Sequence, residues 1–407
     1  MPNVGRATVL AYRILTNQLH ERVDADPGDL DILDLGVANV PAGTARQALA
    51  ARTSRFDAPL SLVWSARGAR HLHRTADLPG LVTALWPISD ADAAARFATK
   101  QIPDGGKLGM AAFRATAEAF AAVVTGPTSK GDASRGVSDR VPEALTYFCG
   151  PCEARHISGA LFQQAGLAGG VQLDETAATT VLLPFGRPEG STAGRPKSGT
   201  AGQTKRVTAG RAKSGTAGDA GGRTRGAHGH ISIPDGPGDP SGFIRAYLRL
   251  LGPATPGDVA KYFGTTVTAL RPAWPGGLAE VTVDGRKAWI PQESVDALLA
   301  AEPAPGVRLL PSSDPFLQAR DRSLLTPDKA REREVWRVLG NPGALLLDGD
   351  LAGTWRAKVA GKRLVVTVAP WVALRAPVRA AVEAEAQWLA AARGLPTAEV
   401  TVERGDT

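Results

Sequence analysis

The chain has 407 residues, 43% of them hydrophobic, with two cysteines and a formal charge of +7. That length suits two to four domains at roughly 100–200 residues each. Two cysteines exclude a disulfide framework and no apolar run reaches the roughly 18 residues of a membrane span, so a reducing, cytoplasmic setting without a membrane partner is expected.

From the N-terminus, Leu10, Ile14, Leu15 and Leu19 recur along one face and predict a helix over 8–22. Residues 29–56 predict two more helices, split by GVANVPAG. The stretch SLVWSARGARHLH predicts a strand leading into a charged turn. Helices follow over 77–101 and 108–124. Residues 139–183 predict a helix (VPEALTYF), a second helix (HISGALFQQAG) and two strands (GVQL and TVLLPF), a helix–helix–wing pattern.

Residues 187–230 are built mainly of Gly, Ser, Thr, Ala, Lys and Arg, lack aromatics, and repeat KSGTAG at 197–202 and 213–218. Such a composition cannot bury a core and reads as a disordered basic loop. It holds nine Lys/Arg and two acids, so it carries the whole +7. The remaining residues balance at 38 basic and 38 acidic groups. Any affinity for nucleic acid in the folded parts would therefore have to come from local clusters, while the loop would add a diffuse, salt-sensitive attraction.

After the loop, Ser241 is expected to cap a helix (SGFIRAYLRLLG). Thr255, Pro256 and Asp258 form the start signal of another, which Gly264 ends. Thr265 or Thr266 caps a third, stopped by Pro272. VTV-DG-RKAWI then alternates about an Asp-Gly turn, a strong hairpin signal. Helix, turn, helix, hairpin is the order of a winged helix. Its presumed recognition helix, TTVTALR, offers only Arg271 as a strong base reader, and Arg286 and Lys287 stand at the wing tip. Contact with DNA through shape and phosphates is expected, rather than tight sequence readout. Residues 307–370 alternate around Gly-rich turns and predict a small barrel or curled sheet, closed by a helix, PVRAAVEAEAQWLAAARG.

The expected fold class is therefore α+β, with tandem winged-helix (helix-turn-helix) domains and a small C-terminal β-barrel. The divisions are 1–125 for an N-terminal winged-helix region, 126–186 for a second winged helix, 187–230 for the loop, 231–305 for a third winged helix, and 306–407 for the barrel and last helix.

Two clusters stand out as candidate sites. His71 and His73 flank Leu72 at strand spacing beside Arg67, Arg70 and Arg74, the densest run of cationic or potentially cationic groups outside the loop. One face collecting both rings suits phosphate or base-edge contact. CGPCEARH places Cys149, Cys152 and His156 at CxxCxxxH spacing. A fourth ligand is absent and structural zinc sites normally have four, so these read as small thiols at a helix–turn–helix corner, with no metal and no cofactor. Asp314, Asp321 and Arg322 read as an internal ion-pair network.

Three motifs in order, ARGARHLHRTADLPGL (66–81), RLLPSSDPFLQARDRSLL (308–325) and GALLLDGDLAGTWR (343–356), resemble the bacterial AlkZ-type winged-helix family. The resemblance runs from about Val9 to Gly394, outside the loop. It implies a concave basic surface that holds double-stranded DNA, bound by a monomer, and in the family's best-known members a glycosylase that excises alkylated or crosslinked bases. Those enzymes carry two glutamines flanking one apolar residue just before a proline, which position the attacking water. Here that place is Val37-Ala38-Asn39-Val40-Pro41, with Val37 at the first glutamine and Asn39 at the second. The family's RGT-x-H stretch becomes Arg67-Gly68-Ala69-Arg70-His71. The resemblance thus implies DNA binding with weak or no base excision. The alternatives are an active glycosylase using Asn39 with another group, and a transcriptional regulator.

Overall fold

The computed structural model describes residues 2–56, 58–185 and 231–403; the expected basic loop lies outside them. Elements run β1 (Asn3–Val4), α1 (Arg6–Thr16), β2 (Val37–Ala38), α2 (Thr44–Ala50), β3 (Leu60–Trp64), β4 (Arg70–Arg74), α3 (Leu78–Leu85), α4 (Asp90–Phe97) and α5 (Gly109–Val123). Then come β5 (Thr128–Ser129), α6 (Lys130–Ser138), β6 (Thr146–Cys149), β7 (Ala154–Ile157), α7 (Gly159–Ala165), β8 (Val171–Leu173) and β9 (Val181–Pro184). After the undescribed stretch follow α8 (Ser241–Leu251), α9 (Pro256–Phe263), α10 (Val267–Leu270), β10 (Leu278–Val283), β11 (Arg286–Pro291) and α11 (Val295–Leu299). The chain ends with β12 (Val307–Leu310), α12 (Arg322–Leu325), α13 (Lys329–Val335), β13 (Gly343–Leu347), β14 (Asp350–Ala360), β15 (Arg363–Pro370), α14 (Ala376–Ala391) and β16 (Thr397–Val402).

The mixed α+β class is as expected. A six-stranded sheet of order β2-β4-β3-β8-β9-β5 organises the first half. Its strands β3 and β4 are the predicted SLVWSARGARHLH run, folded back on itself through a turn at 66–68. VPEALTYF is not a helix. It forms a short 3-10 turn and then β6, which pairs with β7 as a hairpin. Tyr147 and Phe148 alternate in exposure there, and aromatic residues suit a pleated surface better than a helix. The predicted pair of helices over 29–56 is also reduced, to 3-10 turns at 27–29 and 31–34 and the short α2.

Helix α9 starts as its sequence predicts. Thr255 accepts the Asp258 N–H while the Asp258 carboxylate accepts the Thr255 N–H, a capping box. Gly264 ends it at φ +74°. The hairpin β10–β11 turns at Asp284 and Gly285, both with positive φ, as a two-residue Asp-Gly turn requires. Strand β1 pairs with β10, and the Tyr12 hydroxyl on α1 donates to the Arg249 carbonyl. The chain start is thus packed against residues 249–290, tying together regions that the sequence had assigned to separate domains.

The C-terminal sheet has order β12-β13-β14-β15-β16. No pairing joins β12 to β16 among the described residues, so the expected barrel is an open, curled sheet with α14 packed on one face through Val382, Ala386 and Leu389. Strand β16, absent from the expected elements, pairs in parallel with β15. Its alternation of exposed and half-buried residues carries little hydrophobic signal.

Candidate functional site

A pocket of about 400 Å³ opens where the first sheet meets residues 312–318 and the loop before β13. Its lining includes Ala38, Arg67, His71, Ser313, Gln318 and Val338. Two contacts lock the walls together. Ser313 donates to the Ala38 carbonyl, and Asp314 forms a doubly hydrogen-bonded, fully buried ion pair with Arg52. Asp321 likewise accepts two hydrogen bonds from Arg13, with the arginine buried and the carboxylate partly exposed. The expected internal network exists in these two acids, whereas Arg322 lies over the Trp336 ring, 5.1 Å from its centroid.

Strand register decides what faces the pocket. Val37 stands opposite Leu72, and Ala38 opposite His71. Val37 and Leu72 are both fully buried. Asn39 directly follows β2, and its N–H donates to the Arg70 carbonyl. Its amide oxygen accepts the Gly43 and Ala45 N–H groups at the start of α2. It is 2% exposed. The expected catalytic Asn39 is therefore turned into the protein and spends its oxygen on a helix start. Ala38 is the residue of that triplet that lines the pocket.

His71 is the polar group on the pocket side of this sheet. Its Nδ1 lies 2.9 Å from the Ala69 carbonyl. A carbonyl only accepts, so Nδ1 carries the proton and Nε2 keeps a bare lone pair. Nε2 has no hydrogen-bond partner among the described residues. Burial pushes the imidazole down to about 4, so the ring is neutral at pH 7. His73 shares the strand face but not the pocket. It is 1% exposed, its Nε2 meets the Ser65 hydroxyl at 3.0 Å, and burial holds it well below its ordinary value. A Cβ on Gly36 would sit 2.3 Å from the ring, so that glycine makes room for it. His73 therefore lies outside this pocket and borders a separate cavity with Asp34, Leu81 and Phe243. Arg74 is likewise engaged, by Asp34 and Asp77.

Arg67 is exposed and held at φ +57°, an uncommon conformation for a residue with a side chain. It reaches the Lys261 carbonyl and lies 5.8 Å from the Tyr262 ring centroid. Arg320 approaches the same ring at 5.9 Å, and its Nε and Nη2 are buried without partners among the described residues. Neither arginine has an acidic partner there. Arg70, half-buried at the start of β4, has none either. The sequence reading missed Arg320 and Gln318; only their proximity to the SSDPF motif pointed to them.

The other expected contacts lie elsewhere. Thr265 donates to Asp92, and Thr266 caps α10 by accepting the Ala269 N–H. Arg271 is exposed just after α10, which is only four residues long. Arg286 and Lys287 line a separate cavity of about 260 Å³ with Arg6 and Asp258, and Lys287 pairs with Glu280.

Cys149, Cys152 and His156 do not sit at a helix–turn–helix corner. They lie on the β6–β7 hairpin, Cys152 exposed and the other two half-buried, with their ligand atoms within 4.8 Å of one another.

A family model described as DNA glycosylase AlkZ-like matches residues 33–392. The interstrand DNA cross-link repair glycosylase of Streptomyces sahachiroi is 35% identical over 129 residues, 31% of this chain and 33% of that protein. The aligned part thus spans about a third of that relative. The solved structure of Streptomyces sahachiroi DNA glycosylase AlkZ matches with a TM-score of 0.67 at 20% identity, covering 98% of this chain and 100% of that one.

Proposed function

The chain belongs to the AlkZ-like DNA glycosylase family, and from that premise we propose that it is a DNA-repair, glycosylase-like protein. In this reading it acts as a monomer on duplex DNA in the bacterial cytosol. Arg67, Arg70 and Arg320 meet phosphates, and a single base enters the pocket beside His71. The segment α8 to β11 serves as a winged helix, with Thr265, Thr266, Arg271, Arg286 and Lys287 near the backbone. The divisions 1–125, 126–186, 231–305 and 306–407 mark stretches of sequence in this proposal rather than separately packed units, since one sheet joins β2 to β9 and β1 pairs with β10.

The observation that carries the proposal is the pocket itself. It falls within the roughly 300–1,000 Å³ of small-ligand sites, and Arg67, which has no acidic partner among the described residues, lines it. At its rim Val338 and Leu339 are 100% and 87% exposed. Apolar side chains so placed suit insertion between base steps, which unstacks a base before it leaves the helix.

Excision by the glutamine-pair route is weak or absent in this proposal, since Val37 is core and the Asn39 oxygen is occupied. A second reading, an active glycosylase with a variant site, is favoured by one observation: the bare His71 Nε2 is suited to orient an attacking water. Abasic-site formation on a duplex carrying a methylated purine, and on a cross-linked duplex, is to be measured beside gel-shift binding to the same DNA. Tight binding with excision no faster than in His71→Ala supports the first reading. Excision that His71→Ala slows by about 10²–10³ supports the second. Failure to bind any duplex removes both.

A further inference from the structure

We propose that Cys149, Cys152 and His156 form a Cys2His site for zinc(II), with the fourth position open to water. The hairpin brings the three together by register. Cys149 pairs with Ala154 and Tyr147 with His156. Residues directly opposite share a face, so Cys149 and His156 are diagonal neighbours on one side of the hairpin. The 3-10 turn Gly150–Cys152 and a left-handed Glu153, at φ 49°, then fold Cys152 back toward Cys149. Proximity to Cys149 raises the Cys152 thiol.

Tetrahedral zinc with Zn–S of about 2.3 Å sets its sulfur ligands roughly 3.8 Å apart. The ligand atoms already lie within 4.8 Å of one another. Closing the site therefore takes a movement of about 1 Å at an exposed hairpin tip, small enough for side-chain rotation. The base of the hairpin is held independently, by the Ile157 N–H donating to the Ser138 hydroxyl and by Arg155 pairing with Glu143. Metal binding would thus order the tip without being needed for the fold. Both thiols lose their protons on binding, so affinity rises with pH until they are fully ionised. Three protein ligands with an exposed Cys152 leave room for a water or an anionic oxygen at the fourth position.

The chain contains only these two cysteines, so any thiolate-to-metal absorption reports this site alone. The reduced full-length protein is to be titrated with cobalt(II) and then with zinc(II). We expect a thiolate-to-cobalt charge-transfer band that saturates at one metal per chain and is displaced by zinc. Cys149→Ser or Cys152→Ser should weaken binding by at least about 10²-fold. His156→Ala should weaken it about 10-fold or more and alter the visible cobalt spectrum, which reports coordination geometry. No charge-transfer band with reduced protein would overturn the site. A band unchanged by His156→Ala would overturn the three-ligand assignment. Circular dichroism of each variant separates metal loss from unfolding.

Discussion

Val37 and Asn39 show how packing assigns roles to neighbouring side chains. Because Val37 stands opposite buried Leu72, Val37→Gln would place an amide in the core at a cost of about 1–3 kcal/mol. We expect that change to lower the melting temperature without restoring excision; a gain in abasic-site formation would show that position 37 can reach the DNA. Asn39→Ala removes the acceptor for two N–H groups at the start of α2. It should cost about 1–2 kcal/mol and leave binding per folded molecule unchanged, which urea unfolding and gel shift on one preparation would check. His71 adds a pH dependence. Its folded-state value of about 4 lies below the ordinary value, so the unfolded chain takes up the proton first. Its contribution to stability is full above about pH 6.5 and is lost as pH falls toward 4, on the order of 3 kcal/mol. The urea midpoint should drop between pH 7 and pH 4.5 less steeply in His71→Gln than in the wild type. Equal slopes would mean that the ring protonates without cost.

Among the elements, the four-residue α10 and the loop before β13 are the ones on which the proposed DNA contact most depends. A helix of barely one turn presents few side chains to a groove, in keeping with the scarcity of base-reading residues around Arg271. The loop instead offers Val338 and Leu339 to solvent beside the pocket. Val338→Ser with Leu339→Ser alters only exposed side chains, so the melting temperature should hold. Extrusion of a base, followed by the fluorescence of an adenine analogue in the duplex, should fall at least about fivefold while gel-shift affinity changes little. Unchanged fluorescence would exclude the wedge. The hairpin β10–β11 and the start of α9 were legible in the sequence because their signals are local: an Asp-Gly pair needs two positive φ values, and Thr255 with Asp258 closes on its own backbone. The β6–β7 hairpin was not legible, since VPEALTYF satisfies helical spacing and only pairing with β7 makes it a strand.

At the scale of the molecule, buried ion pairs join distant parts of the chain around the pocket. Arg52 and Asp314 are both fully buried. Asp314→Ala would strand the guanidinium and should cost about 3–5 kcal/mol, measurable by thermal unfolding; a loss below about 1 kcal/mol would mean that water reaches Arg52. The charge is distributed unlike the fold. Residues 187–230 lie outside the described residues but carry +7, while the rest of the chain is neutral. Deleting them should flatten the dependence of DNA affinity on salt, since the slope scales with the number of phosphates that the protein neutralises. Replacing Arg67 and Arg320 with alanine should also lower affinity, by about tenfold or more at low salt, and should do so even in the deletion variant. An unchanged affinity would remove these arginines from the interface.

The sequence by itself determined the α+β composition, the strand-rich C-terminal region, the local caps and turns, and the concentration of net charge in one segment. Each is written in neighbouring residues, through periodicity, backbone preference or simple count. Tertiary structure decided which of those residues meet. His71 and His73 share a strand face, yet His71 opens into one pocket while His73, in the space left by Gly36, borders another, and only the packing around β4 decides this. Whether Asn39 serves chemistry or a helix depends on where α2 begins. Arg320 became a candidate only because residues 312–320 pack beside Tyr262 on α9, and no local pattern encodes an encounter between segments nearly sixty residues apart.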